Sequence, residues 1–94
     1  MRRYNEPIEV RAAEMAGVFG PAAFRWRHRL WRVTEIERTW FETADWWSDP
    51  GDDLLAESQV WRVVASAGAA RDAGVFDLSC PVGGDRWLLR SVVD

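Results

Sequence analysis

Four arginines, Arg25, Arg27, Arg29 and Arg32, fall between Phe24 and Val33, the densest concentration of one chemically capable group in the chain. A guanidinium group is a planar, permanently charged donor that meets carboxylates and phosphates with two parallel hydrogen bonds. Such a cluster could hold an acidic protein surface. With an exposed aromatic beside it, Trp46 or Trp47, it could instead hold single-stranded nucleic acid by stacking a base, as small β-barrel binders do. The plain structural alternative pairs the same arginines with Glu9, Glu35, Glu37 or the acidic run from Asp45 to Glu57.

The remaining reactive side chains do not assemble into a catalytic set. His28 is the one histidine and lies in a turn among arginines, with no partner base or acid beside it in sequence. Cys80 is the one cysteine, so no internal disulfide can form, and its strand-like surroundings suit a small buried apolar residue better than a nucleophile. One histidine and one distant cysteine fall short of the four ligands of a structural zinc site. The acids of 45–57 lack the spaced loop and terminal glutamate of an EF-hand, and read as a solvated loop. Gly83-Gly84 has neither the lysine nor the following helix of a phosphate-binding loop. No catalytic residue, metal or cofactor is therefore expected.

Composition bounds the rest. Ninety-four residues suit a single core, to which seven tryptophans can contribute much of the buried area. All twelve basic side chains are arginine, which genomic base composition explains as readily as a demand for guanidinium groups. A net charge of −3 argues against non-specific coating of nucleic acid. The charge is nonetheless segregated, with arginine and no acid in 24–33 and five acids and no base in 45–57. No apolar stretch of signal-peptide length follows Met1-Arg2-Arg3-Tyr4, and a reducing cytoplasm is the expected compartment, away from membranes.

These groups must be carried on strands. Phe24 to Val33 alternates aromatic or aliphatic residues with arginine, the period of a half-buried strand. A hairpin loop at His28-Arg29 would set Trp26 opposite Trp31, Arg25 opposite Arg32 and Phe24 opposite Val33, leaving one face apolar and the other with two like charges in contact. Either that loop is longer or His28 accepts a positive φ. The second strand runs on through Phe41, and the opposite parity of Val33 and Ile36 predicts a β-bulge between them. Residues 1–6 read as a disordered tail and 7–94 as one small β domain. Pro7 to Ala12 reads as a first strand, Ala13 to Pro21 as a loop with at most one helical turn, and Ser48 to Ser58 as an acidic connector with a turn and a short capped helix. Gln59 to Ala65, Val75 to Cys80 and Arg86 to Val93 read as later strands. A turn centred on Gly83-Gly84 would pair Cys80 with Trp87, Leu78 with Leu89 and Asp77 with Arg90. The expected fold is mainly β, with five to six short antiparallel strands in a strongly curled sheet or small open barrel and little helix. Any exposed strand edge would let a second copy pair with it as a homodimer.

The segments Pro7-Ile8-Glu9-Val10-Arg11, Phe24-Arg25-Trp26-Arg27, Leu30-Trp31-Arg32-Val33, Trp46-Trp47, Val60-Trp61-Arg62-Val63 and Arg86-Trp87-Leu88-Leu89 together resemble an actinobacterial family of short Trp- and Arg-rich domains of unknown function. From Trp40 to the last strand the chain is also similar to the C-terminal region of polymerase-like proteins of the mutagenic DNA-repair cassette, inactive relatives of Y-family polymerases that work as adaptors. The resemblance implies a non-catalytic adaptor or accessory module, with a protein partner in the DNA-damage response or translesion synthesis. Its alternatives are a single-strand nucleic-acid binder and, last, a small-molecule enzyme built on the scattered carboxylates, His28 and Cys80.

Overall fold

The computed structural model describes residues 2–15, 17–43, 57–68 and 73–93. Six strands follow one another: β1 (Arg2–Met15), β2 (Val18–Trp26), β3 (Arg29–Thr43), β4 (Glu57–Ser66), β5 (Ala73–Pro81) and β6 (Trp87–Val93). Each pairs antiparallel with its neighbour in sequence, and β1 also pairs with β6, so the curled sheet closes on itself. The strongly curled antiparallel sheet expected from the sequence is found, and its closure disposes of most of the unpaired backbone that a flat sheet of this size would present at its edges. Among the described residues there is no helix. Trp46, Trp47 and the acidic connector up to Ala56 lie outside the described residues, as do residues 69–72.

Strands also take in most of the stretch that reads as a disordered tail and most of the one that reads as a loop. Residues 2–6 are the start of β1, with Arg2 opposite Val92 and Arg3 opposite Ser91, because β6 offers them a partner that local sequence cannot reveal. The weakly patterned stretch after Ala12 is likewise paired, Ala13 with Gly20 and Met15 with Val18, around a tight turn in which Gly17 has φ 80°. At Gly20 an added Cβ would lie 2.8 Å from the tip of the Ile36 side chain and 3.2 Å from the Trp61 indole, so a larger residue there would have to displace Ile36.

The long strands bend at bulges. Between Val33 and Glu35 the register of β3 against β4 shifts, leaving Thr34 as the extra residue, so Val33 and Ile36 both face inward as their parity predicts. Thr34 donates its hydroxyl to the Val64 carbonyl at 3.2 Å. A second shift leaves Glu37 extra, and in β2 Ala22 is the extra residue.

The interior is aromatic at both ends. Phe76 is the hub of one, with its ring centroid 4.9 Å from Trp31, 5.2 Å from Phe24 and 5.9 Å from Trp26 in edge-to-face arrangements. Trp61 and Trp87 pack at 4.9 Å in the other. Val63, Ala65, Leu78 and Leu89 are fully buried between them. The four tryptophans on alternating strand faces thus all belong to the core or its rim.

The central hairpin turns one residue earlier than expected. Phe24 lies opposite Trp31, Arg25 opposite Leu30 and Trp26 opposite Arg29, with Arg27 and His28 as the loop. Both loop residues have positive φ, 53° and 62°, as a type I′ turn requires. Each β2 residue consequently meets a β3 residue two positions earlier than the alternation predicts, and an even slip leaves every side chain on its face. Phe24, Trp26, Trp31 and Val33 stay inside. The β5–β6 turn also moves by one residue: Gly84 N–H donates to the Pro81 carbonyl at 2.9 Å, and Val82 and Gly83 are its centre, with Gly83 at φ 81°.

A left-handed conformation is costly for residues with a Cβ. Substituting His28→Gly should raise stability by about 0.5–1 kcal/mol after allowance for the added freedom of the unfolded chain. Urea titration followed by tryptophan fluorescence would read this as a higher midpoint with an unchanged slope.

Candidate functional site

The outward face beside the hairpin carries the first candidate surface. Across the sheet, Glu9, Arg25 and Leu30 form one cross-strand row, and Arg11, Ala23, Arg32 and Ser66 form the next. Because Ala23 is small, the space between Arg11 and Arg32 is a groove, about 610 Å³, with Leu30 exposed at its side. Arg25 and Arg32 are not directly opposite, so the like-charge contact expected from the sequence does not occur; Arg25 instead faces Glu9 across one strand and Leu30 across the other. Among the described residues no ion pair or hydrogen bond reaches the guanidinium groups of Arg11, Arg25 or Arg32.

The other two expected arginines serve the barrel end. Arg27 lies over the rings of Trp26, at 4.7 Å, and Tyr4, at 5.1 Å. Each such contact contributes about 0.5–1 kcal/mol at an exposed site, which helps to offset the unfavourable φ of Arg27. Arg29 lies 5.3 Å from the Trp31 ring centre and donates to the Ala67 carbonyl at 3.5 Å. The set Arg25, Arg27, Arg29 and Arg32 is therefore divided, and the groove recruits Arg11 from β1. Its position in the alternating Glu9-Val10-Arg11 segment places Arg11 outward, but only the β1–β2 register brings it beside Ala23.

A second polar cluster surrounds Asp77 and Arg90, which the sequence alone sets opposite each other. Asp77 is on the outward face of β5 yet only 5% exposed, with Arg62 and Ser91 bonded against it. Arg62 donates Nε to Oδ1 at 2.8 Å and Nη2 to Oδ2 at 3.0 Å, and Ser91 donates its hydroxyl to Oδ2 at 3.1 Å. The expected partner, Arg90, is the extra residue of a bulge in β6, so Ser91 takes its place opposite Asp77. Arg90 instead donates to Glu42 at 2.8 Å, and Trp40 Nε1–H donates to the same carboxylate at 3.1 Å. The Trp40 indole bond, followed by Arg90, holds the Glu42 pKa below its ordinary value of 4.5 against an opposing effect of burial. The Asp77 hydrogen bonds raise the Arg62 pKa. The nearest sequence signal is Trp40-Phe41-Glu42, whose alternation puts Trp40 and Glu42 on one face.

Cys80 is buried, its thiol contacts the Gly84 carbonyl at 3.4 Å, and burial followed by the charge of Asp85 pushes its pKa up, away from thiolate. Among the described residues no three His, Cys, Asp or Glu side chains converge as a metal site would need. No helix of the described residues is long and apolar enough to cross a membrane.

A domain family described as a domain of unknown function, DUF6504, matches residues 1–94. The chain belongs to this family. No curated protein matches it, and no solved structure does. The DUF6504 domain is thus, over its described residues, a closed antiparallel sheet with one bare arginine groove and one internally bonded arginine–carboxylate cluster.

Two substitutions separate the roles within the cluster. Asp77→Ala leaves Arg62 without its carboxylate and should cost about 3 kcal/mol in denaturant unfolding. Glu42 behaves differently because it is partly exposed. Its lowered pKa means that its contribution is present above the ordinary carboxylate value and is lost as pH falls through the folded-state value. Glu42→Gln should lower stability by about 0.5–1 kcal/mol at neutral pH and match the parent chain in acid, giving a shallower acid dependence in stability measured against pH.

Proposed function

We propose that this domain is a non-catalytic interaction module that takes an acidic segment of a protein partner along the groove of Arg11, Arg25 and Arg32. The observation that carries this reading is the combination of unpartnered guanidinium groups with an exposed Leu30 over a floor of alanine. Guanidinium groups not committed to internal pairs retain their donors for carboxylates, and a neighbouring apolar side chain supplies desolvated contact that a purely charged surface lacks. The resemblance to adaptor proteins of the mutagenic DNA-repair cassette supports a partner in the DNA-damage response or translesion synthesis.

Direct binding of single-stranded nucleic acid is the second reading, favoured by the same unpaired arginines. It calls for a stacking aromatic, and the candidates for that role, Trp46 and Trp47, lie outside the described residues.

The triple substitution Arg11→Glu, Arg25→Glu and Arg32→Glu distinguishes these readings from a merely solvated face. On an immobilised domain, an acidic partner from the translesion machinery should be retained by the parent chain and weakened about 100-fold or more by the triple variant, because each reversal replaces attraction by repulsion. Unchanged retention by a folded triple variant would count against the groove. An oligonucleotide that quenches tryptophan emission at low salt, with affinity falling steeply as salt rises, would favour the nucleic-acid reading.

A further inference from the structure

Where β1, β5 and β6 meet, two irregularities coincide. On β1, Tyr4 and Asn5 lie between the paired residues Arg3 and Glu6, whereas only Arg90 lies between their partners Ser91 and Leu89 on β6. Against β5, Arg90 is itself the extra residue, between the pairs Asp77–Ser91 and Leu78–Leu89. Asn5 is held at φ 53°. Bulges re-aim side chains, and these two open a cavity of about 250 Å³ bordered by Arg3, Asn5, Arg62, Arg90, Trp40 and Glu42.

Three guanidinium groups and two carboxylates line this cavity, and Glu37 acts on Arg62 from outside the lining. Asp77 accepts from Arg62 and Ser91, and Glu42 accepts from Arg90 and Trp40. Arg3 is the third guanidinium, and no ion pair or hydrogen bond reaches it among the described residues. The two committed arginines keep donors to spare. Arg62 uses Nε and one Nη2 proton on Asp77, and Arg90 uses Nη2 on Glu42, out of five N–H groups each. They are also held in place by those bonds, so little side-chain entropy remains to be lost on binding a ligand.

We propose that this cavity is a binding site for a phosphate group, either free phosphate or the monoester of a small molecule. Arg3 and Arg90 supply the charge-assisted hydrogen bonds, Arg62 offers its remaining N–H groups from the wall, and Asn5 offers an amide donor at the rim. The volume admits a phosphate with a few further heavy atoms and is below the range of typical cofactor pockets. No residue here is shared with the groove of Arg11, Arg25 and Arg32, so each site stands or fails separately.

The test is titration of the intact domain with sodium phosphate and, separately, O-phosphoserine, at constant ionic strength, following tryptophan emission and the heat of binding. Saturable binding of phosphate, absent with chloride, is the expected result. Tighter binding of O-phosphoserine than of inorganic phosphate would identify a monoester as the occupant, and the reverse order free phosphate. Arg3→Gln should weaken binding about tenfold while leaving the denaturation midpoint in phosphate-free buffer unchanged, since Arg3 has no partner to lose. Asn5→Asp, which tolerates the left-handed backbone and places a negative charge at the rim, should weaken it by at least as much. A response equal for chloride and phosphate, or full affinity in both variants, would overturn the proposal.

Discussion

Pairing of β1 with β6 is the constraint on which the other features depend. The strands are long for a chain of this size, and joining the first to the last obliges them to bend and change partners along their length. β1 pairs with β6 through Ile8 and with β2 from Glu9 onward. β3 pairs with β2 only through Arg32 and continues along β4. Such bending needs extra residues, and Ala22, Thr34, Glu37 and Arg90 are those extra residues. Closure also surrounds the aromatic cluster around Phe76, which in a flat sheet would leave one face of each ring in water.

The same bends create the chemistry of the outer surface. On one side, a row holding small Ala23 between Arg11 and Arg32 makes a groove with positive walls. On the other, the bulge at Arg90 releases that side chain from Asp77 to Glu42 and lets Arg62 and Ser91 satisfy the buried carboxylate. Burial of Asp77 is tolerable because its charge is paired and hydrogen-bonded, which an unpaired acid at that depth would not be. The two arginine clusters therefore differ in kind. One is bonded largely within the fold, and the other projects guanidinium groups that nothing in the described residues engages.

Much of the fold is legible from local alternation. The inward set Phe24, Trp26, Trp31 and Val33, the burial of Cys80 and the bulge required by Val33 and Ile36 all follow from side-chain parity. Register was less accessible. The turn was misplaced by one residue because Arg27-His28 contains neither glycine nor asparagine, the residues that ordinarily mark a primed turn. The strand from Ala13 and the start of β1 were missed because their residues alternate weakly and owe their conformation to partners distant in sequence. Asp77–Arg90 was a reasonable pair by charge, but a single bulge in β6 transferred Asp77 to Ser91 and Arg62.

The sequence by itself determined which residues face the core and which face water, because successive side chains on a strand point to opposite sides whatever the strand pairs with. It also determined that the exposed cations would be arginine and that the core would be rich in tryptophan. Only the tertiary structure decided which outward residues are neighbours: Arg11 with Arg25 and Arg32, and Arg3 with Arg62 and Arg90. Those neighbourhoods depend on the φ of two turn residues, on five register shifts and on the closure of β1 against β6. Each is a relation between strands, and the pattern within one strand does not encode it.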